Sequence, residues 1–255
     1  MKKLFKFLLN RIPRPVLINL SIFFRPFIYL FFQGSRFTDP IDGRSYRKFL
    51  PYGYGTQREN ALSPGTLSLE RHRQMWLYLQ NETDFFSKKY KVLHIAPEQE
   101  FLRRFRKMKN LDYTSADLFS PIVDVKADIL DLPFDDESFD VVFCNHVLEH
   151  IQDDRKAMSE LYRVLKRGGW GILQVPMKNS LPETYEDFSV TDPKERKRLF
   201  GQYDHVRWYG MDYFGRLESV GFRVDVNFYS RTFSEAERKK YGLMENEILP
   251  VVYKK

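Results

Sequence analysis

From about residue 90 the chain alternates short apolar runs with amphipathic stretches, the pattern of strands and helices in turn. Lys91–Ala96 is a short apolar run that ends at Pro97-Glu98 and leads into a basic helix around Phe101, Leu102, Arg103, Arg104 and Phe105. Leu111–Ala116 reads as a second strand with Asp117 at its end. Val123, Val125 and Ala127, alternating with Asp124, Lys126 and Asp128, read as a third. Phe139–Cys144 has the continuous apolar character of a buried strand and is followed by Asn145-His146. Ala157, Leu161, Val164 and Leu165 recur at helical spacing between about Asp153 and Lys166, and Gly168-Gly169 marks the stop. Trp170–Val175 is the next strand, a polar irregular stretch covers 177–204, and Tyr213, Phe214, Leu217 and Val220 outline another helix. Gly221–Phe228 and Ile248–Tyr253 are the final two strands.

Strands that alternate with helices predict an α/β fold, a mostly parallel twisted sheet with helices on both faces. Ligands of such sheets bind at the carboxyl ends of the strands, where His94–Glu98, Asp117, Asp128, Asn145 and His146 fall. An insertion as long as 177–204 is the kind that forms a lid or substrate loop.

Ahead of this core lie two different segments. Residues 1–32 mix Lys and Arg with Phe, Leu and Ile, and the longest stretch without a charge, Val16–Phe24, has nine residues before Arg25-Pro26. A spanning helix needs about 20 apolar residues, and no small-x-small cleavage pattern follows a compact apolar region. The segment therefore reads as one that either lies in a membrane interface or packs on protein. In residues 36–80, Asp39/Asp42 and Ser63/Thr66 have the spacing of a four-cysteine zinc ribbon. Oxygen ligands of this kind hold zinc poorly, so the expectation is a metal-free pair of turns held by side-chain-to-backbone bonds. Leu69, Trp76 and Leu79 share one face of the helix that follows, and His72 on it reads as structural.

Composition adds three constraints. The 255 residues carry a net charge of +7, but residues 1–50 alone hold ten basic groups and two acids. The rest of the chain is close to neutral, which argues against nucleic acid as a partner and for an anionic surface met by one end. A single cysteine, Cys144, excludes a disulfide framework and a cysteine-cluster metal site, so no metal is expected. No G-x-G-x-x-G follows the first core strand, which counts against a nicotinamide dehydrogenase.

Three ordered motifs carry a resemblance to the class I S-adenosylmethionine (SAM)-dependent methyltransferases of the "methyltransferase 11" type. They are Ala127–Phe134 (ADILDLPF), Ser138–His150 (SFDVVFCNHVLEH) and Leu161–Gly169 (LYRVLKRGG), within a similarity covering about 88–230. The segment before a "SLERHR" helix also resembles members that carry zinc-ribbon cysteines, here replaced by Asp, Asp, Ser and Thr. The resemblance implies a Rossmann-like methyltransferase domain over 86–255 with an antiparallel C-terminal edge, after a basic hydrophobic segment (1–35) and a degenerate zinc-ribbon-like segment with its helix (36–85). The implied cofactor is SAM. Asp117, with Leu118 beside it, is expected on the ribose; Asp128 and Ile129 near the adenine; Asn145 and His146 facing the methyl group; and His150 structural. A capping or solvent role for Asp117 and a plain turn for Asp128 are the alternatives. The first motif departs from the common pattern. His94-Ile95-Ala96-Pro97-Glu98 has no glycine, and it resembles an "LH-x-APE" subgroup; Ala96 is small enough to stand in for the glycine, and Glu98 is the candidate to hold the cofactor's ammonium. His205, Arg207 and Tyr209 form an "H-x-R-x-Y" segment that the resemblance puts near the active site, with His205 a general base and Arg207 a carboxylate or phosphate clamp. A structural Asp204–Arg207 pair beside aromatic packing is the other reading.

The implied activity is methyl transfer to a small-molecule, lipid-linked or glycan acceptor by a cytoplasmic protein, with residues 1–32 a candidate contact to the inner face of a membrane. The rival class is a non-catalytic SAM-fold scaffold or membrane-recruited binding module. A nucleic-acid methyltransferase is disfavoured, because His146-Val147 follows Asn145 where amino-methylating enzymes have a Pro-Pro-aromatic run.

Overall fold

A computed structural model of the chain describes residues 27–53 and 57–255. Most of the basic N-terminal segment, residues 1–26, lies outside the described residues. Residues 27–32 are helical and leave Phe27, Leu30 and Phe31 exposed. No helix among the described residues is long and apolar enough to cross a membrane.

Two antiparallel hairpins come first: β1 (Gln33–Asp39) with β2 (Arg44–Tyr46), then β3 (Leu50–Tyr52) with β4 (Arg58–Leu62). The four residues with zinc-ribbon spacing sit at turns here, and oxygen chemistry joins the turns. The buried Asp39 carboxylate accepts from the Thr66 hydroxyl, from Ser68 Oγ at 3.1 Å and from the Ile41 amide at 3.0 Å. Asp42 accepts from Tyr46 Oη at 2.6 Å and from the Arg44 amide at 2.9 Å.

The helix Glu70–Asn81 then delivers Arg73 into the interior. Its guanidinium donates to the carbonyls of Ser68 (2.7 Å), Ala61 (3.0 Å), Tyr241 (2.6 Å) and Gly242 (2.7 Å). Burial lowers its pKa to about 10. One side chain thus fastens the hairpins to the helix Glu235–Tyr241 near the other end of the chain.

The core sheet follows with β5 (Tyr90–Ile95), β6 (Leu111–Asp117), β7 (Val125–Lys126), β8 (Phe139–Cys144) and β9 (Leu165–Ile172). A short outer ladder pairs β10 (Tyr185–Glu186) with β11 (Arg207–Trp208). β12 (Arg223–Asn227) and β13 (Leu249–Tyr253) complete the main sheet. Its order is β7-β6-β5-β8-β9-β13-β12, parallel throughout except for β13, which is antiparallel to both neighbours. The expected antiparallel pair is present at that edge; β13 lies inside it and β12 is outermost.

Successive side chains of a strand point to opposite faces, and both faces are covered. Leu93, Ile95, Val142 and Cys144 pack toward the helices Asp154–Val164 and Tyr213–Ser219. Val92, Val141 and Phe143 pack toward Glu70–Asn81 and Gln99–Phe105. This two-sided burial is why the strands read as unbroken apolar runs. The polar 177–204 stretch contains β10 and the helix Pro193–Phe200, capped by Asp192.

A candidate active site at the carboxyl ends of the strands

Where β5 and β6 end, the helix Glu70–Asn81 leans across their tips and encloses a cleft of ≈ 780 Å³. The loop after β5 contributes Ala96, Pro97 and Glu98, the loop after β6 contributes Asp117 and Phe119, and the leaning helix contributes Arg71 and His72.

Ala96 has a φ of 44°, in the left-handed region usually reserved for glycine. The backbone takes the turn that a glycine loop would take, with a methyl group in place. Beyond it, Glu98 is held from behind. Its Oε2 lies 2.9 Å from His94 Nε2, and His94 Nδ1 lies 2.9 Å from Tyr113 Oη. Burial would raise the Glu98 pKa, but the hydrogen bond and charge of His94, helped by His72, hold it at about 2. His94 is fully buried and positions Glu98 rather than lining the cleft. Asp117 Oδ1 accepts from the Phe119 amide (2.7 Å) and the Ser120 amide (2.6 Å), which curls the loop and turns the carboxylate to the cleft wall.

Two polar atoms of cleft-lining residues, Arg71 Nε and His72 Nε2, are buried without a hydrogen-bond partner, while the Glu100 carboxylate pairs with His72 Nδ1. Arg71 and the Glu98 and Glu100 carboxylates put charges of both signs along one cleft, which suits a zwitterionic ligand end. The sequence reading gave Arg71 no role, and it took His72 as structural and did not name Glu100. The "SLERHR" helix of Arg71 and His72 lies well before the core in sequence, and only the tertiary fold brings it beside Glu100 and the strand ends.

Other expected site residues fall elsewhere. Leu118 is exposed, and Asp128 is exposed with its Oδ1 accepting from the Leu130 amide at 2.9 Å. Ile129 is buried in the core cluster. Asn145 is buried, with Nδ2 3.4 Å from Met75 Sδ and Oδ1 accepting from the Gln174 amide at 3.2 Å. His146 has a φ of 55°, in the left-handed region. Its Nδ1 lies 3.3 Å from Glu149 Oε1, its Nε2 is buried and unpartnered, and burial together with Arg71 lowers its pKa.

Of the "H-x-R-x-Y" residues, two are internal braces. Arg207 is 1% exposed and donates to the carbonyls of Leu148, Ile151 and Gln152. Tyr209 is fully buried and donates to Asp154 Oδ2 at 2.8 Å. The alternative Asp204–Arg207 pair does not form either; Arg207 pairs with Glu186 and Asp154 instead. His205 is nearly buried, with Nδ1 3.1 Å from the Phe200 carbonyl oxygen.

The model of a family described as a methyltransferase domain matches residues 78–173, the stretch that holds β5 through β9. That stretch is similar to a methyltransferase domain, and the match spans less than half of the chain. Among curated relatives, an uncharacterised protein of Methanocaldococcus jannaschii is 46% identical over 66 residues, 25% of this chain and 29% of that one. A demethylmenaquinone methyltransferase of Clavibacter sepedonicus is 53% identical over 45 residues, 18% of each chain. A malonyl-[acyl-carrier protein] O-methyltransferase of Salmonella typhimurium is 28% identical over 110 residues, 39% of this chain and 44% of that one. The chain spans less than half the length of these relatives. Among solved structures, a SAM-dependent methyltransferase from Archaeoglobus fulgidus aligns with a TM-score of 0.47 at 20% identity, over 70% of this chain and 92% of its own.

Proposed function

We propose that the protein transfers a methyl group from SAM to a small-molecule, lipid-linked or glycan acceptor. The observation that carries this reading is the cleft across the tips of β5 and β6, lined by Ala96–Glu98, Asp117, Arg71, His72 and Glu100.

These residues fit the cofactor chemically. Asp117 would accept from vicinal ribose hydroxyls, Arg71 would face the amino-acid carboxylate, and Glu98 with Glu100 would face the ammonium. When bound, SAM supplies an electrophilic methyl group on a positively charged sulfur. The chain's own task is then alignment and exclusion of water, which the leaning helix serves. His146, near Arg71 and Glu98 and with Nε2 unpaired, is the side chain best situated to take a proton from the acceptor. The exposed Phe27, Leu30 and Phe31, continuous in sequence with the basic hydrophobic residues 1–26, favour an apolar or membrane-borne acceptor over a fully soluble one.

Calorimetric titration with S-adenosylhomocysteine tests the reading. The wild-type chain is expected to bind one equivalent and Asp117→Ala to bind at least about tenfold more weakly, the loss of one charge-assisted contact. No heat with the folded wild type would favour the non-catalytic scaffold.

A further inference from the structure

After β8 a 3-10 turn, Leu148–His150, meets the loop that leads into β11. Through that meeting, a carboxylate oxygen of Glu149 and one ring nitrogen each of His150 and His205 come within 4.8 Å of one another. We propose that Glu149, His150 and His205 form a binding site for a divalent transition-metal ion of the zinc, cobalt or iron(II) type.

Four features carry this assignment. The Glu149 side chain is 1% exposed, and its Oε2 is buried without a partner, while Oε1 faces His146. A bare buried carboxylate oxygen is costly, and a cation removes that cost. Both imidazoles, moreover, are already oriented for ligation. His205 Nδ1 lies 3.1 Å from the Phe200 carbonyl oxygen, and His150 Nδ1 lies 3.3 Å from the Asp204 carbonyl oxygen and 3.4 Å from Asp204 Oδ2. A carbonyl only accepts, so Nδ1 carries the hydrogen in each ring and the Nε2 lone pair is left for a metal. Ligating histidines are held in this way by outer acceptors. The two rings pack edge-on with centroids 4.7 Å apart, so their orientations are coupled.

The segments are also stitched together. The Val206 amide donates to the Glu149 carbonyl oxygen at 3.0 Å, and Arg207 donates to the Leu148 carbonyl oxygen at 2.9 Å. Two imidazoles and one carboxylate suit borderline divalent ions rather than Mg²⁺ or Ca²⁺. Three protein ligands leave coordination positions open to water or an exogenous oxygen. The residue spacing across 149–205 gave no such signal in the sequence, where no metal was expected.

The test uses the full-length chain, stripped with chelator and titrated with Co²⁺ alone. Uptake of one equivalent with ligand-field bands of an N/O-ligated, less than six-coordinate ion, displaced by Zn²⁺, is expected. Glu149→Gln and His205→Gln should weaken binding at least about tenfold, and so should His150→Gln at the most exposed of the three positions. X-ray absorption on the Zn²⁺-loaded wild type supplies a readout independent of any variant and should show two imidazoles. Wild-type uptake below one equivalent, a six-coordinate aquo-type spectrum, or absorption fine structure without imidazole scattering would each overturn the proposal.

Discussion

Replacing Arg207 with methionine separates a structural brace from a ligand clamp. The guanidinium donates to the carbonyls of Leu148 (2.9 Å), Ile151 (2.5 Å) and Gln152 (2.8 Å) and to Glu186 Oε2 (2.7 Å). Of these acceptors only Leu148 is fully buried; Ile151 is half-buried and Gln152 exposed, so water replaces part of what is lost. One buried acceptor without its partner costs about 1–3 kcal/mol. The acids are not left alone, because Arg216 still reaches Asp154 at 3.1 Å and Glu186 at 3.0 Å. Methionine also keeps much of the apolar stem packing. The sum is a loss of about 3 kcal/mol, at the lower end of what breaking a buried pair costs and a sizeable part of a domain's typical 5–15 kcal/mol, roughly. Urea unfolding followed by tryptophan fluorescence should record it as a lower midpoint with an unchanged slope. A loss below about 1 kcal/mol together with a collapse of acceptor affinity would refute the bracing role and restore the clamp.

Three further outcomes follow from the same geometry. Ala96→Gly relieves a left-handed alanine worth about 1–2 kcal/mol, offset by about 0.4–1 kcal/mol of unfolded-state entropy; a small rise in melting temperature is expected, and a fall would contradict the backbone conformation. The Glu98 carboxyl titrates at about 2 in the folded chain against an ordinary 4.5. Its stabilisation is therefore complete above about pH 4.5 and lost as pH falls toward 2. Glu98→Gln should be less stable at neutral pH and flatter across that acid window, and parallel stability–pH curves would contradict the His94–Glu98 link. Full-length protein should float with anionic liposomes more than a truncation lacking residues 1–32, and equal flotation would remove the interfacial role of that segment.

How far the sequence could be read depended on the range of the interaction. The boundaries of β8 coincide with its apolar run, because two-sided burial leaves a local imprint. Asp117 and the Ala96–Glu98 turn follow directly from strand ends, and they line the cleft. Arg207 and Tyr209 could not be assigned in the same way: a dense polar motif looks alike whether it faces a ligand or fills the gap between two loops. The choice was made by Glu186 and Asp154, which lie many residues away. Arg71 and Glu149 escaped notice for a related reason. An unpaired buried atom is a property of surroundings assembled from distant segments, and no spacing rule encodes it.

The position of β13 has a consequence for how the molecule is made. Until residues 249–253 leave the ribosome, β9 has an unpaired edge on that side and β12 has no neighbour at all. An open sheet edge templates pairing between chains. Nascent or C-terminally clipped forms should therefore be the aggregating species, and synthesis of that one inserted strand closes the edge of β9 and gives β12 its neighbour.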